Sequence, residues 1–243
     1  MGMYLTVPLK KLFPLLLALP LIALSFLIPA DRAVPAAGNG DAPRPAGRVL
    51  IIDAGHGGED GGASTAEGVR ESGINLSIAL RLDALARLCG VDTVLTRATE
   101  DISYPQDAAT TAKRKSCDQR ARLQLINSYP DGVLISIHQN FFPDTKPGGC
   151  QVLYGAAPGS PELGEMTHAA LCAALCPENR RVAAPVDRSI FLLREAGCTA
   201  ILVECGFLSN PREAALLQQR DYQMKISAVL LTSYLEFSAR PEG

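Results

Sequence analysis

The residues best placed for chemistry are two histidines and a glutamate, each following an apolar run. His56 lies in Asp53-Ala54-Gly55-His56-Gly57-Gly58, after Val49-Leu50-Ile51-Ile52; His138 closes Gly132-Val133-Leu134-Ile135-Ser136-Ile137; Glu204 closes Ala200-Ile201-Leu202-Val203. Such runs read as strands buried on both faces, and open α/β sheets bind ligands outside the carboxyl ends of their strands. Side chains far apart in sequence can therefore converge there. Glu71 opens the helical stretch after the first run. Two imidazoles and a carboxylate are a known catalytic zinc set that leaves one position open for water. Plainer readings stand beside this one. A histidine next to a strand is usually a hydrogen-bonded structural residue, and Glu71 can be a favourable charge at a helix N-terminus. Glu204 is harder to explain so, because a carboxylate between Ala-Ile-Leu-Val and Cys-Gly-Phe-Leu needs something positive facing it, an arginine or a metal with its water.

The elements that position these residues follow from periodicity. Residues 49–53, 93–96, 132–137, 150–154 and 200–203 read as strands. Ile74, Ile78, Leu82, Leu85 and Leu88 recur at helical spacing, which predicts a helix over 71–89 with one stripe facing inward. Further helices are predicted over 116–128 and 161–176, and from Asn210-Pro211, where proline takes the favoured first position. Asp221 is expected to cap a last helix carrying Met224, Ala228, Leu231 and Leu235. Strands alternating with helices mean an α/β fold with a mainly parallel sheet.

The 23 basic and 25 acidic side chains are nearly balanced, giving no basic face for nucleic acid and no polybasic membrane patch. Lys10 and Lys11 precede an uncharged apolar run, Leu12 to Ala30, which reads as an export signal or, in preference, an uncleaved membrane anchor. Residues 31–47 are a Pro/Ala/Gly-rich linker, and a single domain is expected over 48–243, working outside the cytoplasm. The 7 cysteines are an odd number, so at least one has no partner within the chain, which hints at a reducing setting. Cys172 and Cys176 share a helix face but have no second pair at ligand spacing, so they read as small packing residues, as does Cys205. His168 falls in no motif and reads as a surface or packing residue. Phe141 and Phe142 either floor a sugar groove or pack their loop, packing being preferred.

Four blocks carry a family resemblance: VLIIDAGHGGEDGGAS, GVRESGINLSIALRLDALARLCGVDTVLTR, GVLISIHQN and AILVECGFLSNPREAALL. In this order, and together spanning nearly all of 48–236, they resemble the signature blocks of the zinc-dependent N-acetylmuramoyl-L-alanine amidases of type 3. The resemblance implies a twisted mixed sheet flanked by helices, zinc held by His56, Glu71 and His138, and Glu204 as the catalytic carboxylate. Glu204 would take a proton from water and pass it to the leaving amine. Asp53 either orients His56 or serves N-terminal packing. Arg122 and Asn127 match a family pattern, and neither is assigned a catalytic role. Peptidoglycan is the implied substrate, with room for an activating protein partner. A small domain behind an anchor also resembles the spore-former amidases, which strip stem peptides so that muramic-δ-lactam forms in the cortex. The short interval from His138 to Glu204 leaves little room for the plugging helix of some larger members. Alternatives are a general amidase of wall turnover or cell separation, a zinc carboxypeptidase acting on the stem peptide, and a non-catalytic zinc-containing envelope-binding protein, which has no need of Glu204.

Overall fold

The apolar runs form the strands. In the computed structural model, which describes residues 48–240, the elements in chain order are β1 (Leu50–Ala54), α1 (Glu71–Leu88), β2 (Thr93–Leu95), α2 (Thr111–Asn127), β3 (Val133–Asn140), β4 (Gln151–Tyr154), α3 (Ser160–Leu175), β5 (Ala184–Pro185), α4 (Phe191–Glu195), β6 (Thr199–Phe207), α5 (Pro211–Leu217) and α6 (Arg220–Ser238). The expected anchor over 1–30 and the linker over 31–47 lie outside the described residues. Among the described residues no helix is long and apolar enough to cross a membrane.

The strands make one six-stranded sheet in the order β2-β1-β3-β6-β4-β5. Strands β2, β1, β3 and β6 run parallel, β4 is antiparallel to β6, and β5 is parallel to β4. This is the mainly parallel mixed sheet expected from the alternation of elements. Successive side chains of a strand point to opposite faces, and the two faces are covered by different helices. Leu50, Ile52, Ile135, Ile137, Ile201 and Val203 share one core with Ile78 and Leu82 of α1, Leu163 and Leu171 of α3, and Ile226 and Leu230 of α6. Ile51, Leu134, Ala200 and Leu202 share the other with Ile126 of α2 and Leu192 and Leu193 of α4. Burying each Leu or Ile contributes about 1.5–3 kcal/mol, which is why the runs are apolar at every position rather than at alternate ones. Both helices between β3 and β6 thus pack on the sheet, and among the described residues none is left to plug the site.

Several elements differ from expectation. Strands β3 and β6 run on past their apolar stretches, so His138 and Glu204 lie within strands, paired in register, with a bulge between His138 and Asn140. Bulges of this kind re-aim side chains beside active sites. Helix α2 starts at Thr111, earlier than expected, because the Thr110 side chain accepts a hydrogen bond from the Lys113 backbone N–H at 3.2 Å. Asn210 caps α5 by accepting from Arg212 and Glu213, with Pro211 in the first turn as expected. Asp221 sits inside the first turn of α6 and is not its cap. The inward face of that helix is Ile226, Leu230, Leu231, Tyr234 and Phe237, while Met224 and Leu235 are exposed. Leu88, the last residue of α1, is exposed too.

Candidate metal centre and catalytic carboxylate

After β1 the chain turns back on itself to present His56. His56 has φ 61°, a left-handed backbone that non-glycine residues seldom adopt, and Gly57 and Gly58 follow with φ 131° and 58°. Two buried arginines hold this turn by its carbonyls. Arg97 donates to the carbonyls of Ala54 and Gly55 at 2.9 and 3.1 Å, and Arg122 to those of Ala54 and His56, both at 2.7 Å. Arg122 also pairs with Asp53 at 2.9 Å; both are buried, and Asp53 further accepts from Thr96 and Ser136 at 2.7 and 2.5 Å. Asp53 does not bond to the His56 imidazole. The carboxylate at its Nδ1 is that of Asp60, 3.1 Å away, brought there by the paired backbones of Gly57 and Asp60. Asp53 reaches His56 only through Arg122, which corrects half of the sequence reading and keeps the packing half.

Burial alone would raise the Asp53 pKa, but the Arg122 charge and the two hydroxyl donors lower it to about 2. A carboxylate whose folded pKa lies below its unfolded value contributes stability above the unfolded value and loses it as pH falls through the folded one. We therefore expect wild type to exceed Asp53→Asn by about 2 kcal/mol above pH ~5 in metal-free protein. That margin shrinks between about pH 4 and 2, as read from urea unfolding at each pH. A margin independent of pH would contradict the assignment.

The centre itself is built around Glu71, the first residue of α1. Its Oε2 lies 3.3 Å from His56 Nε2 and its Oε1 3.1 Å from His138 Nδ1. The same carboxylate accepts from the backbone N–H groups of Ala63 and Gln139 at 2.9 and 3.0 Å and from the Asn75 amide at 3.2 Å. Gln139 in turn donates to Asn75 Oδ1 at 3.1 Å. Burial would raise the Glu71 pKa, but hydrogen bonds from both imidazoles hold it well below the usual carboxylate range. At His56, burial lowers the pKa, while the bond to Glu71 and the charges of Glu71 and Asp60 raise it further. One ligand atom from each of His56, Glu71 and His138 falls within 4.8 Å of the others, so the three sequence-predicted ligands form a group that can hold a metal ion. The imidazoles stand edge to face with centroids 5.0 Å apart, and each side chain is 19% exposed, which leaves the group open to solvent.

Glu204 stands beside His138 across the β3–β6 pair. Its Oε2 is buried with no hydrogen-bond partner, and burial pushes its pKa up to about 7 against the opposing pull of the imidazoles. A buried acceptor left unpaired costs about 1–3 kcal/mol, and here the missing partner is a cation or a proton-donating ligand. The glycines make the same point sterically. A Cβ on Gly55 would run into the His138 ring, and one on Gly62 would meet Glu71 Oε2 and lie 2.8 Å from the His56 ring. Two histidines, an ionised carboxylate and a second carboxylate beside them with one oxygen unpartnered suit a divalent metal with an open coordination position. Gly62 also has φ 67°. Gly62→Ala is expected to cost about 1–2 kcal/mol in backbone strain and to weaken metal binding by about tenfold or more. A competition titration with a chelating dye reads the affinity, and an unchanged value would show that the ligands do not need this cradle.

The remaining sequence candidates fall elsewhere. Asn127 braces α2 against the Glu195–Gly197 turn, and Cys205 is a buried core residue whose thiol burial pushes up. His168 is buried in packing on α3 beside Cys172. Phe141 and Phe142 are half exposed, which corrects the packing preference; with Ser64, Thr65, Leu208 and Ser209 they line a groove of about 500 Å³. Asp60, Arg97, Asn75 and Gln139 were not singled out from sequence. Asp60 offered one signal, its four-residue distance from His56 inside a glycine-rich run.

Comparison with known proteins gives concordant results. The family model described as N-acetylmuramoyl-L-alanine amidase matches residues 50–233. A germination-specific N-acetylmuramoyl-L-alanine amidase of Bacillus subtilis (strain 168) is 31% identical over 192 residues, covering 79% of this chain and 80% of the relative. The amidase LytC of the same organism is 26% identical, covering 76% of this chain but 34% of its own length. Among solved structures, the CwlD amidase from Clostridioides difficile in complex with the GerS lipoprotein aligns with a TM-score of 0.75 and 32% identity, over 78% of this chain and 98% of that one.

Proposed function

The chain belongs to the N-acetylmuramoyl-L-alanine amidase family, and on that premise we propose a zinc-assisted hydrolysis in which His56, Glu71 and His138 hold the metal and Glu204 moves the protons. The enzyme is an amidase of peptidoglycan, acting outside the cytoplasm on the amide between N-acetylmuramic acid and L-alanine. The observation that carries the mechanism is the buried Glu204 Oε2, without a hydrogen-bond partner, beside the His56–Glu71–His138 group.

When bound, zinc supplies Lewis acidity, which acidifies water and polarises a carbonyl. The chain's own residues do the rest. Glu204 takes a proton from the attacking water and returns it to the leaving nitrogen of L-alanine, so that the amine departs neutral. Asp60 fixes the His56 ring through Nδ1, which leaves Nε2 facing Glu71 free to hold the metal, and Asn75 and Gln139 keep Glu71 in place. Arg97 and Arg122 hold the carbonyls of the strained turn, so His56 is set before substrate arrives. The groove past Phe141 and Phe142 accepts the glycan or the stem peptide. Phe141→Ala/Phe142→Ala is expected to lower kcat/KM on polymeric peptidoglycan about tenfold, mostly through KM, with metal content unchanged. A fall in kcat alone would remove the groove from substrate binding.

The biological substrate we propose is the spore cortex, where removal of stem peptides precedes muramic-δ-lactam formation. Support comes from the germination-specific relative, which this chain matches over most of both lengths, and from the likeness to CwlD. Because that structure holds the GerS lipoprotein, an activating envelope protein is proposed for this chain too. Residues 1–30 would anchor the enzyme, 31–47 would tether it, and 48–243 would form the catalytic domain. The test is digestion of cortex and vegetative peptidoglycan by the zinc-loaded full-length chain, read by mass spectrometry. Stem peptides beginning at L-alanine, released preferentially from cortex material, are expected. Equal release from both substrates would favour general wall turnover, and cleavage at a different amide would overturn the assignment.

A further inference from the structure

A second set of soft ligands gathers at the far end of α3. His168, Cys172 and the C-cap Cys176 follow one another at four-residue spacing, which puts them on one helix face. Cys150, just before β4, meets that face from the sheet. Its Sγ lies 3.9 Å from Cys172 Sγ and 3.3 Å from Cys176 Sγ. The ring nitrogens of His168 are 3.7 Å from Cys172 Sγ, and ligand atoms of Cys150, His168 and Cys172 all fall within 4.8 Å of one another. In tetrahedral zinc sites, bonds of about 2.3 Å to sulfur and about 2.0 Å to nitrogen separate sulfurs by about 3.8 Å and sulfur from nitrogen by about 3.5 Å. The Cys150–Cys172 and His168–Cys172 separations already lie close to those edges, and Cys176 joins that group of three through Cys150, at 3.3 Å. We propose that Cys150, His168, Cys172 and Cys176 form a second, structural metal site of the Cys3His type, taking zinc or a comparable soft divalent cation. No residue of the set belongs to the hydrolytic centre.

Two rival accounts explain less. Packing of small apolar cysteines does not call for the polar groups that converge on them: the buried His168 imidazole, which also bonds to the Cys150 backbone, and Asn179, whose amide nitrogen lies 3.4, 3.7 and 3.9 Å from the sulfurs of Cys172, Cys150 and Cys176. An N–H group shared among three sulfurs is the outer support a thiolate set requires, and Asn179 is itself fixed by donating to the Cys150 carbonyl at 2.7 Å. A Cys150–Cys176 disulfide would use two sulfurs and leave Cys172 beside His168 with no role. A metal uses all four groups. Binding involves no redox change: thiol protons leave to solvent as the sulfurs take the cation. With four protein ligands the site is closed, which marks it as structural.

Its position gives it a consequence. Gln151, next to Cys150, is the residue of β4 paired with Glu204 of β6. A cation joining Cys150 to the end of α3 would therefore steady the strand flanking the catalytic carboxylate.

Cobalt(II) distinguishes this site from the hydrolytic one, because only thiolate ligands give an intense sulfur-to-cobalt charge-transfer band. The full-length chain, kept reduced, stripped of metal and titrated with cobalt alone, is expected to bind two equivalents and to develop that band. The band should survive in His56→Ala with one equivalent bound, and vanish in Cys172→Ser. A reduced wild type that binds a single equivalent without the band overturns the proposal, whatever the variants do. Recovery of a Cys150–Cys176 disulfide peptide from that same single-site protein would assign the cluster to a redox pair instead.

Discussion

Glu204→Gln is expected to lower kcat by about a thousandfold or more while leaving fold, zinc content and KM close to wild type, since a positioned proton-transfer group contributes about 10²–10⁴ in rate. Glutamine keeps the shape but can neither accept the proton from water nor return it to the departing amine. The charge also has a structural cost. Burial pushes the Glu204 pKa up to about 7, so above the ordinary carboxylate range the folded state carries a charge it disfavours. Metal-free Glu204→Gln should therefore be more stable than metal-free wild type at pH 8, with the difference fading as pH falls towards 4.5, the ordinary value. Loss of activity with a gain in stability is the signature of a carboxylate kept for chemistry. Activity within tenfold of wild type would remove Glu204 from the mechanism, and activity lost together with zinc would make it a ligand.

The second large effect lies away from the reacting atoms. Arg122→Ala should destabilise the protein by about 3–5 kcal/mol, because it leaves the fully buried Asp53 charge unpaired. It also frees the carbonyls of Ala54 and His56 that Arg122 clamps. For a domain of this size the loss corresponds to a fall in melting temperature of about 10 °C. Arg122→Lys keeps the charge but cannot serve Asp53, Ala54, His56 and Asp118 with one ammonium, so an intermediate loss is expected. Zinc affinity should fall in both variants, since the strained His56 turn loses its clamp. A loss below about 1 kcal/mol would show that the pair is not what holds the turn.

What sequence could show here divides along physical lines. His56, Glu71, His138 and Glu204 were legible because each follows an apolar run or opens a helix, and polar groups in such places need a reason. Arg97, Asn75 and Gln139 were not, nor was the role of Arg122, because what they do depends on partners from other elements: Arg122 meets Asp53 and His56 across 69 and 66 residues. Asp60 was hidden by the plausible claim of Asp53, which points to α2 instead. Strands β3 and β6 looked shorter than they are because the polar residues ending them are functional, and apolar pattern alone does not see past a catalytic side chain. The inward face of α6 is hard to read from its apolar residues, because Met224 and Leu235 are apolar yet exposed, while Ser227 is buried in the face that packs on α1. Strand β5 and helix α4 are too short to carry a period. The cysteine cluster escaped because Cys150 joins α3 only in three dimensions.

A zinc ion held by His56, Glu71 and His138 beside Glu204 is central to the proposed hydrolysis. Anomalous diffraction at the zinc edge from crystals of the zinc-loaded protein tests it most directly. The expected result is a strong peak about 2.0–2.2 Å from His56 Nε2, His138 Nδ1 and a Glu71 carboxylate oxygen, with Glu204 facing it. No peak there from fully loaded protein, or one confined to the Cys150–Cys172–Cys176 cluster, would contradict the account.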